Sequence, residues 1–193
     1  MNINFSEYDK EVNTLKKGGV GIMPTDTLYG IVSSALNKEA VERIYSLKKR
    51  NKEKPLIVLI SSWSDLKIFL IDKKIYEERL KNIWPGKVSV ILPSLSDDFS
   101  YLHRGIKKIA FRMPEDQGLR DFIGKTGPLV APSANLEGEN PVKTIDEAKV
   151  SFQDGVDFYI DGGFIDSLPS TLISFDDENN IVVKREGVVI IKN

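Results

Sequence analysis

The sequence has no cysteine and only one histidine, His103. The absence of cysteine excludes disulfides, thiolate nucleophiles and cysteine-ligated metal sites, and it is most compatible with a reducing compartment. A single histidine excludes metal sites built from several histidines. Within Ser-Tyr-Leu-His-Arg-Gly, His103 is interpreted as a surface-loop residue rather than a general base.

The sequence also lacks long apolar runs and a surplus of either charge. No stretch approaches the ~18 to 20 apolar residues of a membrane span, and the N-terminal MNINFSEYDKEV has no apolar core of signal-peptide length. We therefore expect a cytoplasmic protein without membrane association. The 27 basic and 28 acidic residues give a formal net charge of −1, which argues against a protein whose main activity is coating nucleic acid.

The chain has 193 residues, of which 41% are hydrophobic and 28% charged, enough for one domain with a substantial core. No repeat, low-complexity tract or linker divides it, so residues 1–193 are expected to form a single domain. Apolar periodicity predicts helices over residues 38–49, 63–70, 74–83 and 118–125. It predicts strands over residues 20–23, 56–60, 88–92, 109–112, 129–130, 158–160, 171–175, 181–184 and 188–191. Early strand and helix alternation with a strand-rich end predicts an α/β fold on a mixed sheet with flanking helices.

The segment PTDTLYGI, residues 24–31, directly follows the first predicted strand. It offers threonine and tyrosine hydroxyls and one carboxylate at a strand end, where open α/β sheets bind ligands. The same residues are also ordinary turn formers, because Asp and Thr hydrogen-bond to their own backbone. Taken alone, the segment leaves both interpretations open.

A concentration of cations follows the predicted helix over residues 38–49: Lys48, Lys49, Arg50, Lys52 and Lys54. The helix dipole accounts for positive charges in the last turn but not for a cationic loop that continues for several residues. Lysine and arginine together hold phosphate oxygens in many unrelated sites, so phosphate is the anion that this loop indicates.

Three further polar groups follow predicted strands: Ser133-Ala134-Asn135, Arg112 and Arg185. Each is unremarkable as a turn or a solvated charge, but their convergence on one rim would indicate a site. The segment GLRDFIGKT, residues 118–126, resembles a phosphate-binding loop. Five residues rather than four separate its glycines and its middle is predicted to be helical, so that function is excluded.

Six blocks occur in a fixed order: PTDTLYGI, AVERIYSLKKRNKEKPL, FRMPEDQGLRDFI, PLVAPSANLEGENP, LPSTLISF and VVKREGVVI. Together they resemble the YrdC-type family of threonylcarbamoyl-AMP synthases, in its short single-domain form, from about Gly18 to Val189. The resemblance implies a twisted mixed sheet enclosing a cationic concave site. It also implies an enzyme that converts L-threonine, bicarbonate and ATP into threonylcarbamoyl-AMP and pyrophosphate, the first step of tRNA threonylcarbamoyladenosine (t6A) modification.

Matching positions in these blocks carry the family's functional residues. The resemblance implies catalytic roles for Lys48 and Arg50. The expected ATP-binding residues are Arg50, Lys54, Lys108, Ser133, Asn135 and Arg185. The expected threonine-binding residues are Thr27, Tyr29, Arg112 and Ser170. ATP is expected with Mg²⁺, for which no protein ligand is assigned, and tRNA is expected to be reached only through a threonylcarbamoyl transferase complex.

The chain departs from the family pattern at four positions. Lys49 and Asn51 stand where glycine and proline are usual, Leu59 where histidine is frequent near the threonine, and Glu186 where proline is usual. Two other functions stay open at this stage. One is an RNA-binding or ribosome-associated module without catalysis, and the other is a related carbamoyl-adenylate-forming enzyme.

Overall fold

The computed structural model describes residues 3–191. Its strands are β1 (Val20–Pro24), β2 (Tyr29–Ser34), β3 (Ile57–Leu59), β4 (Val88–Pro93), β5 (Lys108–Arg112), β6 (Leu129–Val130), β7 (Phe158–Tyr159), β8 (Thr171–Phe175) and β9 (Ile181–Arg185). Its α-helices are α1 (Asp9–Lys16), α2 (Lys38–Leu47), α3 (Lys74–Leu80), α4 (Ser100–His103), α5 (Gln117–Thr126) and α6 (Ile145–Phe152). Short 3-10 helices cover Phe5–Glu7, Trp63–Phe69, Asp97–Phe99 and Gln153–Gly155.

All described strands join one sheet in the order β7-β1-β2-β6-β3-β5-β4-β8-β9. The pairs β1/β7, β3/β5 and β4/β8 are parallel, and the other five adjacent pairs are antiparallel. The predicted α/β fold with a mixed sheet is therefore confirmed. Within residues 3–191 no helix is both long and apolar enough to cross a membrane.

The two faces of the sheet differ in how far helices cover them. Side chains alternate across a strand, so Val58 joins the larger apolar cluster with α2 and α6, while Leu59 joins the smaller cluster with α1 and α5. The smaller cluster draws its strand residues from β1, β2, β3 and β6 and their flanks. The same face continues over β5, β4 and β8, where the strand pairing places Ala110, Ile91 and Leu172. This part of the face is where ligand-sized cavities open.

Several local predictions are wrong. Strand β2 was not predicted, because the turn-like PTDT hid the apolar residues that follow it. Residues 188–191 form no strand, although the Val188 amide donates to the Pro169 carbonyl at 2.9 Å. The surface position expected for His103 is also wrong, because this residue is 1% exposed. Its Nδ1 accepts from the Gly105 amide, and its Nε2 faces the Ser96 carbonyl. The exclusion of a phosphate-binding loop is confirmed, because α5 is a regular helix with Asp116 as its N-cap.

Candidate active site

Two adjoining cavities lie over the uncovered part of the sheet. The first, called the hydroxyl cavity, has a volume of about 60 Å³, and its polar lining consists of Thr25, Thr27, Tyr29, Arg112, Ser133, Ser170 and Arg185. The second, called the cationic cavity, has a volume of about 260 Å³ and its charged lining consists of Arg50, Lys108 and Arg185. Ile57, Ser133 and Arg185 line both cavities, so a single ligand could extend through the two.

Strand pairing explains how these residues meet. Leu59 pairs with Arg112 on β5, while Ala131 follows Val130 toward the opposite end of β3 and donates its amide to the Ile57 carbonyl. Arg112 therefore lies beside one end of β3, which has only three residues, and Ser133 lies toward its other end. The two residues nevertheless line the same cavity. The site lies across a face of the sheet rather than along one rim of strand ends, and Arg112, Ser133 and Arg185 converge on it.

A β-bulge brings Arg185 to this face. Phe175 pairs with Ile181 and Ile173 with Val183, which places both β9 residues on the face of the larger cluster. The register then shifts by one, so that Leu172 pairs with Arg185 rather than with Lys184. One extra residue in a strand reverses the direction of the side chains that follow it. Without the bulge, Arg185 would point away from both cavities.

Arg112 is held at the hydroxyl cavity by a buried ion pair. Its Nη2 lies 3.0 Å from Asp26 Oδ1, and the two side chains are 4% and 2% exposed. Nη2 also lies 3.4 Å from Thr25 Oγ1, whereas Nε has no hydrogen-bond partner among the described residues. Burial lowers the pKa of Arg112 and the Asp26 carboxylate opposes that shift. Asp26, the carboxylate of the PTDT segment, thus fixes the guanidinium beside the cavity.

The PTDT segment does form the turn that the alternative interpretation expected. Thr25 Oγ1 donates to the Leu28 carbonyl at 2.7 Å and lies 3.3 Å from the Thr27 hydroxyl. This turn presents Thr27, which is 4% exposed, to the hydroxyl cavity. Turn formation and cavity lining are therefore properties of the same residues.

Tyr29 lines the hydroxyl cavity, but its hydroxyl is engaged elsewhere. It donates to the Gly163 carbonyl at 2.8 Å and accepts from the Gly162 amide at 2.8 Å. Burial raises the pKa of this hydroxyl. The phenol therefore anchors the segment that leads to Ser170, and any contact with a cavity ligand falls to its ring.

Ser170 and Arg185 form a second polar group at the hydroxyl cavity. Arg185 Nη2 donates to the Ser170 carbonyl at 2.8 Å and approaches the Ser170 hydroxyl at 3.4 Å. Behind them, Ser89 Oγ lies 2.8 Å from Ser170 Oγ. Sequence reasoning missed Ser89, although a serine within the apolar run Val88–Leu92 was a detectable signal. Burial, and after it the charge of Arg112, lowers the pKa of Arg185.

The cationic cavity combines charges with an apolar floor. Leu56, Ile57, Ile91, Ile106 and Leu172 contribute the apolar surface. Arg50 is held by the carbonyls of Lys54 and Pro55, at 3.3 Å from Nε and 3.2 Å from Nη2. Only part of its guanidinium is thus engaged, which leaves donors for an anion in the cavity.

Lys48 lines neither cavity. Its ammonium donates to the carbonyls of Ser133 and Asn135, both at 2.5 Å, and lies 3.3 Å from Asn135 Oδ1. Burial, and after it the charge of Arg50, lowers the pKa of Lys48 to about 7. Lys48 thus fixes the turn that presents Ser133. Its expected direct catalytic role stays a prediction.

Lys54 and Asn135 also lie outside the cavity linings. Lys54 Nζ pairs with Glu137 Oε1 at 2.5 Å, and the Asn51 amide donates to the same carboxylate. Asn135 accepts from the Ser133 hydroxyl at 2.6 Å and donates to the carbonyls of Leu136 and Glu139. Glu137, a residue without a sequence signal, therefore ties the lysine-rich loop to the loop after β6.

The described part of the chain contains no group of three or more histidine, aspartate or glutamate side chains placed to hold a metal ion.

Comparisons with known proteins identify the family of this chain. The chain is 32% identical over 168 residues to the threonylcarbamoyl-AMP synthase of Pseudoalteromonas translucida, covering 83% of this chain and 89% of that protein. Its fold matches the crystal structure of P. abyssi Sua5 complexed with L-threonine with a TM-score of 0.85 and 28% identity. That match covers 97% of this chain and 56% of Sua5, so the chain spans little more than half of the longer protein.

A second solved structure, E. coli YciO, matches with a TM-score of 0.85 and 27% identity, covering 99% of this chain and 94% of YciO. The Sua5/YciO/YrdC family model, described as telomere recombination, matches residues 13–187. On this match the chain belongs to the Sua5/YciO/YrdC family.

Proposed function

We propose that this protein is an L-threonylcarbamoyladenylate synthase, a nucleotidyltransferase that converts L-threonine, bicarbonate and ATP into threonylcarbamoyl-AMP and pyrophosphate. This reaction would be the first step of t6A modification. The threonylcarbamoyl group would reach tRNA through a threonylcarbamoyl transferase complex in the cytoplasm. The Pseudoalteromonas translucida relative carries this activity in its name, and the P. abyssi Sua5 structure contains L-threonine.

The observation that carries the proposal is the joining of the two cavities at Ser133 and Arg185. The hydroxyl cavity is small and polar and contains the Arg112 guanidinium, which suits an amino acid with a carboxylate. The cationic cavity offers an apolar floor for a base and cations for phosphates. An amino acid and a nucleotide would thus meet at the shared wall.

The proposed chemistry needs no protein nucleophile. The deprotonated threonine amine forms a carbamate, either from bicarbonate with loss of water or from CO2 with loss of a proton. One carbamate oxygen then attacks the α-phosphorus of ATP. The bond from the α-phosphorus to the bridging oxygen breaks, and that oxygen leaves with pyrophosphate. Negative charge accumulates at the phosphorus during attack, and cations that are already fixed lower its energy without reorganising.

Residue roles follow from this arrangement. Arg50 would contact the phosphates, and Lys108 and Arg185 line the same cavity. Arg112 would bind the carboxylate of threonine. Thr27 and Ser170 would contact polar groups of the same threonine, including its carboxylate. Lys48 would act through the Ser133 turn rather than on the substrate. Mg²⁺ would neutralise phosphate charge when bound, held mainly by ATP oxygens.

The direct test is pyrophosphate release from ATP, measured with threonine and bicarbonate each omitted in turn. Release that requires both, together with a threonylcarbamoyl-adenylate identified by mass spectrometry, supports the proposal. Release that requires carbamoyl phosphate instead would assign the related carbamoyl-adenylate reaction. ATP turnover indifferent to all three would overturn both.

A further inference from the structure

We propose that Ser89, which lies outside both cavities, is a positioning residue that sets the hydrogen-bond direction of Ser170 toward the carboxylate of the amino-acid substrate. The inference rests on the proposed function, because it takes the ligand of the hydroxyl cavity to be an amino acid. It assigns a role to a side chain that would not touch the substrate.

Sheet geometry places Ser89 directly behind Ser170. Strands β4 and β8 are parallel, with Val88 opposite Thr171 and Ser89 opposite Leu172, so Ser89 lies on the cavity face. Ser89 is 0% exposed and Ser170 is 2% exposed. Their hydroxyl oxygens are 2.8 Å apart, and this is the one side-chain hydrogen bond that Ser89 makes within residues 3–191.

The direction of this bond decides what Ser170 offers to a ligand. A serine hydroxyl donates one proton and accepts up to two. The Arg185 Nη2 atom, 3.4 Å away, is a donor only, so it occupies one of the acceptor positions of Ser170 Oγ. If Ser89 donates as well, the Ser170 proton is free for the cavity. If Ser170 donates to Ser89, the cavity meets only a lone pair.

A carboxylate accepts hydrogen bonds and donates none. It is therefore compatible only with the arrangement in which Ser89 donates to Ser170 and Ser170 donates to the ligand. Two donors to Ser170 Oγ also polarise its own O–H group, which strengthens the bond to an anion. Ser89 thus stabilises one of the two possible proton arrangements when an anion is bound.

Two other buried serines lack the kind of hydrogen-bond partner that Ser89 has in Ser170. The hydroxyls of Ser33 and Ser94 are buried without any hydrogen-bond partner in the described part of the chain. Ser94 directly follows β4, the strand that carries Ser89, and is 1% exposed. Ser94→Ala therefore removes a buried hydroxyl next to the same strand without removing a side-chain hydrogen bond, and it serves as the matched control.

The test compares wild type, Ser89→Ala, Ser89→Thr and Ser94→Ala. Threonine affinity is measured by calorimetry without ATP, and KM values for threonine and ATP are measured by pyrophosphate release. Ser89→Ala should weaken threonine binding about 3- to 12-fold, as expected for one neutral hydrogen bond, and leave the KM for ATP within about 2-fold. Ser94→Ala and Ser89→Thr should stay within about 2-fold of wild type for both substrates.

A double-mutant cycle separates positioning from a general packing role. In a Ser170→Ala background, Ser89→Ala should have almost no further effect on threonine affinity, because its partner is gone. Additive losses, or equal losses of threonine and ATP affinity, would overturn the role of Ser89. If wild type itself neither binds nor uses threonine, the proposed function fails together with this inference. If wild type is active and Ser89→Ala behaves like Ser94→Ala, the inference alone fails.

Discussion

Four cations in or beside the candidate site are held by protein oxygens. Arg112 faces Asp26, Arg185 donates to the Ser170 carbonyl, Lys48 to those of Ser133 and Asn135, and Arg50 to those of Lys54 and Pro55. Such contacts fix the direction of each charge, which reduces the reorganisation needed as negative charge develops. At the scale of single residues, the site is therefore preorganised.

Arg50→Ala should lower the rate of pyrophosphate release about 30- to 1000-fold. The loss corresponds to about 2 to 4 kcal/mol of transition-state stabilisation, the usual cost of removing one fixed donor from developing charge. Lys52→Ala is the control, since Lys52 belongs to the same loop, is 71% exposed and lines neither cavity. A folded Arg50→Ala protein with wild-type kinetics would remove Arg50 from the proposed role.

Asp26→Asn should lower the free energy of unfolding by about 3 kcal/mol, because it leaves Arg112 as a buried charge without a counter-ion. Urea unfolding followed by circular dichroism measures the change. Asp166→Asn breaks a far more exposed ion pair with Lys143, in which nitrogen and oxygen are 2.8 Å apart, and should cost less than about 1 kcal/mol. Equal effects of the two substitutions would contradict the structural role of Asp26.

The low pKa of Lys48 predicts a pH-dependent stability. Burial lowers the pKa of this lysine from its ordinary 10.5 to about 7. Between these pH values the unfolded chain holds a proton that the folded chain has lost, so the free energy of unfolding rises with pH. The rise is at most about 1.4 kcal/mol per pH unit. Urea unfolding at several pH values in this window should show a steeper rise for wild type than for Lys48→Met. Parallel stability curves for the two proteins would contradict the low pKa of Lys48.

At the scale of elements, the segment after β9 packs against the backbone beside Ser170. A Cβ on Gly187 would lie 2.3 Å from the Pro169 carbonyl oxygen and 2.5 Å from the Ser170 carbonyl carbon. Atoms cannot approach so closely, so a side chain at position 187 would displace one of the two segments. The close approach also aligns the Val188 amide with the Pro169 carbonyl.

Gly187→Ala should therefore raise the KM for threonine more than the KM for ATP, since Ser170 lines only the hydroxyl cavity. Steady-state pyrophosphate release measures both values. Gly124→Ala is a matched control, because Gly124 lies within α5 and its nearest neighbour would be 3.9 Å from an added Cβ. That substitution should keep wild-type kinetics and stabilise the helix by about 0.5 to 1 kcal/mol. An unchanged KM for threonine in folded Gly187→Ala would show that this packing does not position Ser170.

At the scale of the whole molecule, positive charge is concentrated rather than abundant. The net charge is −1, yet Arg50, Lys108 and Arg185 line one cavity. This distribution favours a small anion in a concave site over a long polyanion on a surface.

Direct binding of tRNA should accordingly be weak, with a Kd above about 10 μM at ~0.15 M salt. Fluorescence anisotropy with a labelled tRNA measures it, and the same preparation is assayed for threonine-dependent ATP turnover. Tight, salt-sensitive binding without such turnover would favour the RNA-binding alternative instead.

Much of the fold and the family could be predicted from the sequence. Strand β5 is an example, because the buried Ile109 and Phe111 alternate with the exposed Lys108 and the half-buried Ala110. The six ordered blocks led to a family that the match over residues 13–187 confirms. These features are local in the chain, which is why periodicity and short motifs reveal them.

The sequence by itself determined an α/β fold on a mixed sheet, most of its buried strands except β2, and the supply of hydroxyls and cations. Only the tertiary structure decided which of these groups line the cavities. A bulge in β9 directs Arg185 into the site. Lys48 donates to a backbone carbonyl of the Ser133 turn, and Lys54 pairs with Glu137, which is 83 residues away in the chain. The physical reason is that the direction and the charge state of a side chain depend on strand register, burial and partners from distant segments.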